Sequence, residues 1–151
     1  MMGQSLVSNY MHIVFSTKHR KKLIHPPLEQ ELHNYIGGIC NSLDSPVLIV
    51  GGCSDHIHIL CMVSKKIALM TLIQKIKTKS SKWVKIKSPN LENFFWQEGY
   101  GAFSINNSQI DILKQYINDQ RHHHVKHTFE EEYRDLLKSH KIEFNEKYLW
   151  D

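Results

Sequence analysis

Residues 47–63 read VLIVGGCSDHIHILCMV. Val47 to Val50 are apolar and largely β-branched, which predicts a short buried strand. Gly51 to Asp55 supplies a turn, and His56 to Val63 returns as the second strand of a hairpin. Residues two apart on a strand share a face, so the His56 and His58 imidazoles project together. Ile57 and Ile59 face the other way. One face of the hairpin is therefore core, and the other carries groups that can do chemistry.

Upstream, Tyr10 to Ser16 (YMHIVFS) has the composition of a first strand. Pro26-Pro27 opens a helix whose buried stripe is Leu28, Leu32, Ile36, Ile39 and Leu43, and Asp44-Ser45-Pro46 ends it. Downstream, Leu69, Leu72, Ile73, Ile76 and Trp83 share one face of a lysine-rich helix, with Lys75, Lys82 and Lys85 roughly opposite. Ser88-Pro89-Asn90 breaks that helix. Phe94 to Ile105 (FFWQEGYGAFSI) reads as extended structure interrupted by Gly99 and Gly101. A last helix begins near Asn107-Ser108, where either side chain can cap, and buries Ile110, Leu113 and Ile117. The order predicts an α+β fold, a ferredoxin-like βαββαβ sandwich with one additional helix. Residues 1–127 are expected to form this domain. Residues 128–151, acidic, half helical and ending in Tyr148-Leu149-Trp150, are expected to form an extension packed on it.

Length and composition agree with this. A chain of 151 residues with 41% apolar and 23% charged residues suits one globular domain. Only 7 Gly and 4 Pro argue against a fibrous or disordered chain. No apolar run approaches the ~18 residues of a membrane span, and Met1 to Tyr10 lacks the pattern of a secretion signal. Three cysteines, Cys40, Cys53 and Cys61, at irregular spacing form no disulfide framework, which points to a reduced, cytoplasmic protein. The net charge of +4 is unevenly spread: Lys65 to Lys87 holds eight lysines and no acid, leaving 11 basic and 15 acidic residues elsewhere. Lys18, Arg20, Lys21 and Lys22 form a smaller cluster. Such concentration suits a polyanion, although a solvated helix face has the same composition.

The chemistry-bearing residues each carry two readings. His56 and His58 can hold a divalent metal, or simply occupy the wetter face of a sheet. Asp55 stands where it could orient one of them. Cys53-x-x-His56 and His58-x-x-Cys61 have zinc-like spacing, but Cys61 belongs to the opposite strand face, so a four-ligand site would break the strand. Tyr116 and Gln120, four apart, stack on one face of the last helix. A phenol with a pKa near ~10 is a poor nucleophile without a cation nearby, and a tyrosine there is also an ordinary core edge. His122-His123-His124 and His127 read as histidines favoured near a helix C-terminus, or as groups for phosphate contact or a metal. Trp96, Tyr100 and Phe103 can stack on unpaired bases or fill a core.

Four stretches together resemble the single-tyrosine HUH transposases of the smallest bacterial insertion sequences. They are VFSTKHR (14–20), GGCSDHIHIL (51–60), WQEGYGAFS (96–104) and YINDQ (116–120). The family's histidine–hydrophobic–histidine motif is matched by His56-Ile57-His58, and the likeness runs from about Tyr10 to the C-terminus. The resemblance implies cleavage and rejoining of single-stranded DNA through a 5′-phosphotyrosine. In it Tyr116 is the nucleophile, carried on the additional helix, and His56, His58 and Gln120 are the ligands of Mg²⁺ or Mn²⁺. It implies recognition of DNA hairpins near element ends by a homodimer. The short polar Ile105-Asn106-Asn107 hinge would let Tyr116 of one chain complete the other chain's site. Lys18, Arg20, Lys75, Lys82 and Lys85 become the expected DNA-phosphate contacts. Two alternatives share parts of this pattern: a domesticated nuclease that processes chromosomal palindromes, and a non-catalytic nucleic-acid binder that stacks bases on Trp96 or Tyr100.

Overall fold

Alternating side chains decide how the sheet is used. The computed structural model describes residues 3–151; Met1 and Met2, the start of the stretch examined for a secretion signal, lie outside the described residues. Strands β1 (Tyr10–Ser16), β2 (Val47–Cys53), β3 (His56–Met62) and β4 (Gly101–Ser104) form a four-stranded antiparallel sheet in the order β2-β3-β1-β4. Helix α1 (Leu28–Ser42) joins β1 to β2 across β3, and α2 (Leu69–Lys87) joins β3 to β4 across β1. This interleaving is the ferredoxin-like arrangement.

Ile13, Phe15, Ile57, Ile59 and Cys61 pack under α1 and α2 against Leu32, Ile36, Leu72, Ile73 and Ile76. The intervening residues His12, Val14, His56, His58 and Leu60 occupy the other face. A slip of one residue would drive both β3 histidines into the aliphatic core, so this register is strongly specified.

The histidine face is covered too. Helix α3 (Ile110–Asn118) sets Ile110 and Ile117 on Leu60, and α5 (Phe129–Ser139) sets Phe129, Tyr133 and Leu137 on Val14 and Phe103. The short α4 (Gln120–His123) lies between them. Thr128 caps α5 in a reciprocal pairing with Glu131. Trp150, from the C-terminal end, lies near both Phe129 and Tyr133.

Several local expectations are corrected. β2 does not stop at Val50: Gly51, Gly52 and Cys53 pair with His58, Ile57 and His56, and the turn is only Ser54-Asp55. These glycines are strand residues, not turn residues. A Cβ on Gly51 would lie 2.7 Å from the Ile117 carbonyl oxygen, so α3 can rest on β2 only where no side chain intervenes. Of the 94–105 stretch only Gly101–Ser104 is a strand, and Trp96 makes a single bridge to Thr17. The Trp96 ring instead packs edge-on against Phe15 and Phe94 and donates its indole N–H to Ser80 Oγ. Trp96 and Phe103 are both buried, which removes them as base-stacking platforms. Asn106, paired reciprocally with Gln109, caps the 3-10 turn Asn107–Gln109 that leads into α3, and neither Asn107 nor Ser108 fills that role. The helix bearing Tyr116 is also interrupted, at Asp119.

Gly51→Val tests the contact between β2 and α3. Overpacking there is expected to cost about 1–3 kcal/mol in urea unfolding and to displace the helix carrying Tyr116. Unchanged stability would show that α3 does not rest on this strand.

Candidate active site

The β3 histidines enter the site from a rigid strand, and each has its far nitrogen already engaged. His56 Nδ1 lies 2.7 Å from Asp55 Oδ1, so this nitrogen carries the proton donated to the carboxylate. His58 Nδ1 lies 2.7 Å from Nε2 of the buried His12, one strand over on β1. Both rings are fully buried and turn their Nε2 atoms toward the covering helices. Asp55 therefore does the orienting that its position in the sequence suggested.

From α4, Gln120 brings its side-chain oxygen to 2.8 Å from His56 Nε2. The amide orientation follows from the other end of the group, because Gln120 Nε2 donates to Glu132 Oε2 at 2.9 Å. From α3, the Tyr116 hydroxyl donates to the same carboxylate oxygen. The Tyr116 ring stands edge-on to His58, with centroids 5.9 Å apart. Sequence analysis brought together His56, His58, Tyr116 and Gln120, and the fold brings all of them together within one chain. The 105–107 segment leads α3 back over its own sheet, where the Gly51 contact seats it.

Two participants were missed. Glu132, from α5, lies at the centre: its Oε1 is 3.1 Å from both His58 Nε2 and His124 Nε2. His124 also reaches Gln120 Oε1 at 3.0 Å, so reading it as a bland helix-end histidine does not hold. The available signal for Glu132 was its place on the apolar face of an amphipathic helix, among Phe129, Tyr133 and Leu137. The cysteines stay out. Cys61 and Cys40 sit in the core on the other side of the sheet, and no cysteine joins a metal-capable group among the described residues.

The electrostatics of the cluster are those of a crowded, largely buried pocket. Burial holds His58 below its ordinary value, partly opposed by Glu132, and holds His12 well below it. Burial pushes the Glu132 carboxyl up, but the His58, His124 and His56 imidazoles overcome this and hold it far below the usual carboxylate range. Burial and the adjacent Glu132 charge push the Tyr116 phenol well above the usual tyrosine range. In this state Tyr116 is a protonated hydrogen-bond donor. A cavity of about 520 Å³ opens beside it, walled by His12, Leu113, Tyr116, His123, Glu132 and His140.

Two pairs of donors decide whether a cation fits. With the His56 proton on Nδ1, its Nε2 lone pair faces the Gln120 oxygen lone pairs across 2.8 Å. Glu132 Oε1 stands 3.5 Å from the same nitrogen. Nitrogen and oxygen acceptors converging with no hydrogen between them form a donor set suited to a divalent metal.

The expected DNA contacts lie elsewhere. Lys75 and Lys82 are exposed and Lys85 is half-buried, on α2, across the sheet from this cluster. Lys85 lies over the Phe95 ring. Lys18 is exposed, whereas Arg20 stacks on Trp150 and approaches Glu130. Another lysine of α2, Lys77, donates to the carbonyls of Gln97, Glu98 and Gly99 and so ties down the segment before β4.

The sequence model of the family described as "Transposase IS200 like" matches residues 5–120. The chain belongs to the IS200-like transposase family. Transposases for insertion sequence element IS200 from Salmonella typhimurium (strain LT2) and Salmonella typhi are each 27% identical over 116 residues. The match covers 72% of this chain and 74% of theirs. Two solved structures share the fold of this IS200-like transposase. One, from Deinococcus radiodurans and assigned as a transposase, has a TM-score of 0.64 at 17% identity, over 80% of this chain and 97% of that one. The other, a REP-associated tyrosine transposase bound to a REP hairpin, has a TM-score of 0.56 at 15% identity, over 81% and 74%. Among the described residues of this transposase, no helix is long and apolar enough to cross a membrane.

Proposed function

We propose that this IS200-like transposase cleaves and rejoins single-stranded DNA through a 5′-phosphotyrosine on Tyr116. His56, His58 and Gln120 would hold a divalent metal, Mg²⁺ or Mn²⁺. The observation that carries this reading is the convergence of a tyrosine hydroxyl and three metal-capable donors from β3 and α4 at one buried point beside a cavity. When bound, the cation polarises the scissile phosphate and offsets charge building on its oxygens.

The chain's own residues supply the rest. The Tyr116 oxygen attacks phosphorus and the bond to the 3′-oxygen breaks. Glu132 Oε2 accepts the hydrogen bond that orients the Tyr116 hydroxyl, and the phenolic proton leaves through the adjoining cavity. The departing 3′-oxygen takes a proton from solvent. Ester is exchanged for ester, so a 3′-hydroxyl can reverse the step without ATP. Asp55 and His12 hold the two ligand rings in place throughout.

The substrate would be a strand carrying a hairpin, as the likeness to a hairpin-bound transposase supports. Lys75, Lys82 and Lys85 are too far round the molecule to touch the reacting phosphate and would hold the folded stem, with Lys18 and Arg20 contacting DNA at the other cluster. Replacing the three α2 lysines with Gln should weaken binding to all sequences alike. Each lost contact should flatten the salt dependence by up to ~0.7 in log–log slope for single strands and ~0.9 for duplex. An unchanged slope would make α2 a solvated face. The protein would act in the cytoplasm as a homodimer with a complete site in each chain, and light scattering in solution measures that mass.

The deciding experiment incubates the protein with hairpin-bearing single-stranded DNA and Mg²⁺ or Mn²⁺, then runs a denaturing gel. A covalent protein–DNA band is expected. Binding without that band would favour a non-catalytic nucleic-acid-binding module.

A further inference from the structure

Glu132 is a buried carboxylate, 3% exposed, with no lysine or arginine bonded to it among the described residues. Its ionic neighbours are the imidazoles of His56, His58, His123 and His124, each a cation only if protonated. A buried charge without a fixed partner is costly. Its two oxygens also divide the work. Oε2 takes the hydrogen bonds of Tyr116 and Gln120, while Oε1 faces the Nε2 atoms of His56, His58 and His124.

The geometry points to Glu132 as a fourth protein ligand, which binds the metal through Oε1 together with His56, His58 and Gln120. This deepens the metal-site reading above and rests on it. Metal–oxygen bonds of ~2.1 Å put adjacent octahedral ligands ~3.0 Å apart. Glu132 Oε1 lies 3.1 Å from His58 Nε2 and 3.5 Å from His56 Nε2, and Gln120 Oε1 lies 2.8 Å from His56 Nε2. His56, His58 and Glu132 also form a metal-capable group by themselves. A bound divalent cation would supply the fixed positive charge that the carboxylate lacks.

Glu132 lies beyond residues 5–120, the part that matches the family model, and it is carried by α5. Metal binding should therefore fasten α5 to the histidine face. Loss of metal should loosen the helix that closes one wall of the Tyr116 cavity. This makes the C-terminal segment part of the site's metal chemistry and not only its cover.

The test uses Mn²⁺ alone as the probe, with no DNA. Isothermal titration calorimetry on the full chain should show one Mn²⁺ per chain, abolished in His58→Ala and weakened at least ~10-fold in Glu132→Gln. Hydrogen exchange of the wild-type protein provides a readout that no variant can confound: Mn²⁺ should slow exchange of the α5 amides. Mn²⁺ bound by Glu132→Gln as tightly as, or more tightly than, by wild type would overturn the fourth-ligand assignment. So would α5 exchange that ignores the metal while His58→Ala still loses it. If wild type binds no Mn²⁺ at all, the metal-site reading falls with it.

Discussion

Tyr116→Phe should give no covalent protein–DNA species on a denaturing gel, a loss on the order of 10⁴-fold or more, while hairpin binding stays nearly intact. The substitution removes one oxygen, and the ring keeps its edge-on packing against His58. Glu132 loses one donor but keeps Gln120, His58 and His124, so its burial remains satisfied. Only the atom that would bond phosphorus is gone. An adduct that survives the change would move the nucleophile to another tyrosine, with Tyr100 the first to test because it lies in the segment leading into β4.

Mixing Tyr116→Phe with His58→Ala under conditions that let subunits exchange should give no recovery of cleavage. If each chain of a dimer seats its own Tyr116 over its own His58, every site in a mixed dimer carries one defect. Had the 105–107 hinge sent α3 across to a partner, one site of the mixed dimer would carry both defects and the other neither. Activity would then return. Recovered cleavage, with mixed dimers demonstrated, would show that the state acting on DNA exchanges α3 between chains, and would overturn the within-chain site for that state.

Much of the site was legible because it depends on short periods. A two-residue repeat is enough to put His56 and His58 on one face of β3, and a four-residue repeat is enough to put Tyr116 above Gln120. Asp55 could be read for the same reason, since it neighbours the ring it orients. The resemblance to the transposases supplied roles for residues whose spacing alone favoured an ordinary structural reading.

Other features had no local signal. Gly51 and Gly52 look like turn residues because glycine is the commonest turn punctuation; only the arrival of Ile117 shows why Gly51 takes no side chain, while Gly52 has a φ of 145° and faces the His56 carbonyl. Trp96 looks like a stacking platform until Phe15, Phe94 and Ser80 close around it.

By itself the sequence determined the order of strands and helices, the face each strand buries and the identity of the histidine pair, because hydrophobic periodicity and strand alternation act over a few residues. Only the tertiary structure decided that Glu132 and His124 join them, and that Lys75, Lys82 and Lys85 lie across the sheet. Those facts depend on where α3 and α5 dock. Docking is set by packing between segments tens of residues apart, such as Ile117 on Gly51 and Tyr133 on Gly101, and no local period encodes it.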